Sequence, residues 1–168
     1  MQVQTARRVL AGAALVVGLA FAVPATASAQ LGFLVKANYG DDVDFGVAGG
    51  VRFDLGPLTA AHGLRGEATF DYFFPEGFDY WEINGDLFLD IASVPGLYVG
   101  SGLNYAKFSN GRDCGARCEG LGYNDGNTDV GLNAIGGYTF PGLRAPFVQV
   151  KIELGGGEQF VVSGGIRF

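Results

Sequence analysis

Trp81-Glu82-Ile83-Asn84-Gly85-Asp86-Leu87-Phe88-Leu89-Asp90-Ile91 is two patterns interleaved. The odd positions hold Trp, Ile, Gly, Leu, Leu and Ile, and the even ones hold Glu, Asn, Asp, Phe and Asp. Successive side chains of a strand point to opposite faces, so this period of two predicts a β-strand with one apolar and one polar face. An amphipathic helix would instead repeat its apolar residues at every third or fourth position.

The alternation recurs on both sides. Phe45, Val47, Gly49, Val51, Phe53 and Leu55 oppose Gly46, Ala48, Gly50, Arg52 and Asp54, and Val148, Val150, Ile152 and Leu154 oppose Gln149, Lys151 and Glu153. Such segments, separated by clusters of Gly, Pro, Asn and Asp, predict eight strands near 31–39, 44–55, 64–74, 80–91, 97–107, 128–140, 146–154 and 160–168. Each is long enough to cross a bilayer when tilted, which takes about nine to eleven residues. The connections alternate as well. Those after the second, fourth and sixth strands are compact, at Gly56-Pro57-Leu58, 93–96 and 141–145, whereas 40–43, 75–79, the long 108–127 and 155–159 form the other set.

The N-terminus has another character. Arg7 and Arg8 precede an apolar run from Val9 to Val23, and Ala27-Ser28-Ala29 supplies small residues for cleavage. This predicts a Sec-type signal peptide over 1–29, cleaved before Gln30, and one domain over 30–168. The run is shorter than the about 20 residues of a membrane-spanning helix. Of the 168 residues 29 are glycine and only 17% are charged, against about 25–35% on a typical soluble surface. Part of the surface is therefore expected not to face water.

Alternation alone does not say which face is inside, because a soluble lipocalin-like carrier alternates too, with its apolar face inward. Two features favour apolar outward. Aromatic residues gather toward segment ends (Tyr39, Phe45, Phe53, Tyr72, Trp81, Tyr138, Phe140, Phe168), as where a wall meets two membrane interfaces. The polar face is rich in glycine and in charges of both signs, which can fill a narrow interior. The chain resembles the small outer-membrane barrel families: the OmpA transmembrane domain, OmpX and the opacity-type adhesins. Its most telling local feature is Phe160-Val161-Val162-Ser163-Gly164-Gly165-Ile166-Arg167-Phe168, an alternating last strand ending in Phe.

The resemblance implies an all-β fold: a single eight-stranded antiparallel up-and-down transmembrane β-barrel in the outer membrane. It also implies outer-membrane lipids as surroundings, a barrel-assembly machinery that reads Phe168, and termini and compact turns on the periplasmic side; a closed barrel has no free edge that requires a partner, so a monomer is the default expectation.

The inward charges expected from the alternation are Lys36, Arg52, Arg65, Lys151 and Arg167 against Asp54, Glu67, Asp71, Glu82, Asp86, Asp90 and Glu153. A turn centred near residues 59 and 60 would set Arg52 opposite Glu67 and Asp54 opposite Arg65 as facing ion pairs. Inward glycines at 46, 50, 100, 102, 131, 137 and 165 could leave gaps for water or one small ligand.

Cys114 and Cys118 in the long loop predict a disulfide, as expected in an exported protein. Asp125-Gly126-Asn127-Thr128-Asp129 begins like a calcium loop but then has Val130 for the required glycine and Gly136 for the bidentate Glu, so no metal is expected. Asp41, Asp42 and Asp44 are better explained as a solvated acidic loop.

The only histidine, His62, falls in a compact turn, leaving any serine without a positioned base, and no catalytic or cofactor-binding residue is expected. No phosphate loop, dinucleotide fingerprint or basic nucleic-acid stripe is present. The function expected is a structural or surface-interaction barrel with a filled lumen and extracellular contact loops that could take an extracellular ligand. A narrow channel or small-ligand transporter and a soluble secreted carrier are the alternatives.

Overall fold

The computed structural model describes residues 31–59, 62–76, 78–110, 128–155 and 159–168. The predicted signal segment and the Cys114–Cys118 disulfide lie outside these residues. Eight strands follow one another: β1 Leu31–Gly40, β2 Asp44–Thr59, β3 His62–Phe73, β4 Phe78–Asp90, β5 Leu97–Asn110, β6 Thr128–Thr139, β7 Phe147–Leu154 and β8 Phe160–Arg167. Each pairs antiparallel with the next, and β8 pairs with β1, so the sheet closes into an up-and-down barrel without a free edge. At the closing seam Phe33 and Phe168 exchange two backbone hydrogen bonds, at 3.2 and 2.8 Å.

The even number of strands puts residues 31 and 168 at one end of the barrel with the β2–β3, β4–β5 and β6–β7 turns. This is the terminal end here. The opposite, loop end carries the other connections.

The strands form where period two was read, and one difference has a clear cause. Gly56-Pro57-Leu58, expected as a turn, belongs to β2, which runs on to Thr59 paired with His62. The register shifts between Asp54 and Gly56 and again between Pro57 and Thr59. A bulge tolerates proline, which has no N–H for the ladder, and Gly56 adopts φ +90° there, so the turn signal marks an irregular strand instead of its end.

The two faces separate cleanly. Along β7 the pattern is strictly alternating, with Phe147, Gln149, Lys151 and Glu153 buried and Val148, Val150, Ile152 and Leu154 exposed. Among the described residues most of the exposed large hydrophobics lie on the outer wall, from Leu31, Phe33, Val35 and Tyr39 on β1 to Phe160 and Val162 on β8. The buried set holds Lys36, Arg65, Glu67, Asp71, Glu82, Asp86, Lys151, Glu153 and Arg167. This order is the reverse of a soluble carrier barrel and is that of a transmembrane barrel.

Candidate functional site: the barrel interior and its mouths

The interior is filled in three layers. Nearest the loop end, Val43, Phe73, Phe78, Tyr80, Ala106, Phe108 and Val161 form an apolar cluster. Tyr80 lies 4.4 Å from Phe108 and 5.4 Å from Phe73, ring centre to ring centre. Val43 comes from the β1–β2 connection, so that loop folds its one apolar residue into the lumen.

Below it lies a polar layer. The Lys151 ammonium donates to Glu82 Oε2 at 2.7 Å and is ion-paired with Glu153. Gln159 enters from the β7–β8 connection and donates to Tyr80 Oη, Glu82 Oε1 and Glu153 Oε2 at 2.7–2.9 Å. Beside them Lys36 meets Asp71 at 2.9 Å, and Asp71 also accepts from Asn38 and Thr69. Among the described residues Asp86 has no cation within ion-pair distance; the Asn133 amide donates to it at 2.9 Å and to Asn84 at the same distance.

The third layer, toward the terminal end, is built on arginine and aromatic rings. Arg167 Nε donates to Glu67 at 3.0 Å while its guanidinium covers Phe147, 3.8 Å from the ring centre. The Arg65 guanidinium sits 4.4 Å from Tyr98 and 5.1 Å from Phe88 and is paired with Asp90. Rings shield these cations and attract them through their faces.

Three sequence expectations need correction. The strand register is as read, with Arg52 beside Glu67 and Asp54 beside Arg65, but neither facing ion pair forms. Glu67 takes Arg167 from β8, Arg65 turns to Asp90, and Arg52 bonds along its own strand to Asp54 at 2.9 Å. Arg52, Asp54 and Asp90 lie at the terminal-end rim, with side chains 28%, 41% and 49% exposed, so the enclosed network is smaller than expected.

The inward glycines leave no gaps. Each stands opposite a larger inward residue in register: Gly46 opposite Phe73, Gly50 opposite Thr69, Gly100 opposite Phe88, Gly102 opposite Asp86, Gly131 opposite Asn104, Gly137 opposite Tyr98 and Gly165 opposite Phe147. A Cβ at Gly46 would come within 2.7 Å of the Phe73 ring, and one at Gly165 within 2.8 Å of the Phe147 ring. The glycines make room for side chains that fill the lumen.

Gln159, Asn38, Asn104 and Asn133 are lumen groups that the alternation had not singled out. Strand parity would have placed the asparagines, but not a residue that enters from a loop.

Outside, aromatic rings pack against one another at both ends of the wall. Near the loop end Phe70 meets Trp81 at 5.8 Å and Trp81 meets Tyr105 at 6.0 Å; near the terminal end Tyr138 meets Phe140 at 5.0 Å. Two shallow apolar grooves mark the outer wall, one of about 550 Å³ along Val35, Ala37, Val47 and Gly164, the other of about 370 Å³ along Leu64, Leu87 and Val99. His62 is the first residue of β3. Among the described residues no cluster of three or more His, Cys, Asp or Glu could hold a metal ion.

No family model matches the chain, and no curated protein does. Among solved structures it is similar to a designed protein described under "De novo design of transmembrane beta-barrels", at 15% identity and a TM-score of 0.45 over 82% of this chain and 92% of that one. It is also similar to Ail, the attachment invasion locus protein of Yersinia pestis, at 16% identity and a TM-score of 0.38 over 82% of this chain and 95% of Ail. Likenesses this distant carry no function across.

Proposed function

We propose that the protein is an integral outer-membrane barrel that acts as a sealed scaffold, presenting its loop-end surface for contact and conducting no solute through its interior. The observation that carries this is the filled lumen: an apolar layer, a paired polar layer and an arginine–ring layer lie across it in succession, with each inward glycine covered. Eight strands enclose an interior only wide enough for side chains, whereas aqueous porins use about sixteen. Outer-membrane lipids are then the medium of the exposed wall. The barrel-assembly machinery is the partner during biogenesis, with Phe168 as the residue it reads. No catalytic step belongs to this reading.

A narrow channel is the second reading. It is favoured by buried polar atoms in the middle layer that have no hydrogen-bond partner among the described residues, both amide atoms of Asn104 and Ser163 Oγ among them. Planar-bilayer recording decides between them. Purified barrel that inserts, shown by an SDS mobility that shifts on boiling, should give no discrete conductance steps. Reproducible steps from folded protein would overturn the sealed scaffold.

A further inference from the structure

The two ends of the barrel differ in what they show their surroundings. Among the described residues the loop-end tips are acidic, with Asp41, Asp42, Asp44, Glu76 and Asp79, and the apolar Val43 is folded inward. At the terminal end each of the three hairpins projects an aliphatic side chain outward: Leu58 is 63% exposed, Val94 44% and Leu143 fully so. The turns at 91–96 and 140–146 contain no carboxylate, and their one charge is Arg144. Three exposed aliphatic side chains in water would be an uncompensated cost, yet the turns that carry Val94 and Leu143 are short and tightly bonded. Leu97 N donates to Val94 O at 3.0 Å and Ala145 N to Gly142 O at 3.2 Å.

The height of the wall supplies a reason. A strand rises about 3.3 Å per residue and leans by roughly 40°, giving about 2.5 Å of height per residue. The eight residues of β7 therefore span about 20 Å, less than the about 25 Å apolar band of an outer-membrane barrel. On that side the band is completed if Phe140 and the β6–β7 turn also meet lipid. Arg144, whose guanidinium lies 6.0 Å from the Phe168 ring at the end of the aromatic wall, then stands at headgroup level, where its charge suits anionic lipid.

We propose that the terminal-end turns are seated in the lipid interface, with Leu58, Val94 and Leu143 inserted among the headgroups as anchors and Arg144 facing anionic headgroups. This rests on the membrane reading above, and the occupant is the bilayer surface, in continuity with the apolar wall. The end that carries the termini then offers little surface to a protein partner in the aqueous compartment, leaving contact to the loop end.

The chain's single tryptophan permits a direct test in two steps. Protein with native Trp81 is reconstituted into vesicles containing anionic lipid and quenched with lipids brominated high or low on the acyl chain. Lipid quenching of Trp81 is required by the membrane reading, and its absence would overturn that reading and the inference with it. Leu143→Trp and Val94→Trp are then examined in a Trp81→Phe background, with Glu76→Trp as the loop-end comparison. The expected result is that the terminal-end tryptophans lose most of their emission to the shallow bromines, little to the deep ones, and little to iodide in the water. Glu76→Trp should respond to iodide alone. Iodide-accessible tryptophans at 94 and 143 in vesicles that quench Trp81 would leave the membrane reading standing and overturn the lipid seat, making the tips a surface for a protein partner.

Discussion

Replacing Lys151 by methionine should be among the most damaging single changes in the interior. Lys151 is 1% exposed, pairs with Glu82 at 2.7 Å and with Glu153, and lies 3.4 Å from Asn84 Oδ1; both carboxylates are fully enclosed. Methionine keeps the stem and most of the volume, so little cavity term enters. What remains is two facing carboxylates with, among the described residues, Gln159, Tyr80 and Asn84 to donate to them. Removing one partner of a buried pair costs about 3–5 kcal/mol.

An independent ceiling for one orphaned carboxylate comes from simply protonating it. For a Glu with an ordinary unfolded-state value near 4.3, that costs about 1.36 kcal/mol for each of roughly 2.7 pH units at pH 7, or about 3.7 kcal/mol. The penalty must then shrink as pH falls, to about 1 kcal/mol at pH 5 by the same arithmetic. Urea unfolding in lipid vesicles, followed by Trp81 fluorescence, measures both numbers. Combining Lys151→Met with Glu82→Gln and Glu153→Gln should recover most of the loss, because a neutral replacement of a buried ion pair is often tolerated. A single variant within about 0.5 kcal/mol of wild type at pH 7, or a penalty that does not fall on acidification, would refute the enclosed pairing.

Neighbouring glycines give a test of the two faces: Gly136→Val points into open space and should cost little, whereas Gly137→Val drives a side chain into the Tyr98 ring and should cost about 1–3 kcal/mol in the same unfolding assay. Arg52→Gln removes a rim pair and should cost at most about 1 kcal/mol, against about 3–5 kcal/mol for Arg167→Gln, which strips Glu67 of its nearer cation. Equal losses would show that Arg52 belongs to the enclosed network after all. Asp71→Asn should be destabilising because it orphans Lys36, while Asp86→Asn, which breaks no ion pair, should be neutral or mildly stabilising; reversed unfolding midpoints would overturn the partner assignments.

What the sequence disclosed follows from what repeats along it. Period two is local, so all eight strands and the face of each residue could be read, and the hairpin register near Arg52 and Glu67 followed from one turn. The bulge at Gly56-Pro57 defeated the same logic, because the residues that end a strand also interrupt one. The fate of the inward glycines was within reach: opposite Gly100 in register stands Phe88, and opposite Gly137 stands Tyr98. Composition suggested space where pairing predicts contact.

Three of the enclosed ion pairs were not legible, and the reason bears on function. Lys36 on β1 meets Asp71 on β3, Lys151 on β7 meets Glu82 on β4, and Arg167 on β8 meets Glu67 on β3, so each pair joins strands that are not neighbours in the sheet. Register defines Cβ neighbours on adjacent strands only, and long side chains in a closed lumen can reach past them. Such pairs tie separate parts of the wall together through the middle, and opening a path for solute would mean parting them while they are sheltered from water. Each parted charge would then need a new partner or cost several kcal/mol. The described tip residues at the mouth carry no such constraint: most are solvated, and only Val43 and Gln159 among them are drawn into the interior. The physics therefore assigns rigidity to the lumen and leaves contact to the mouth.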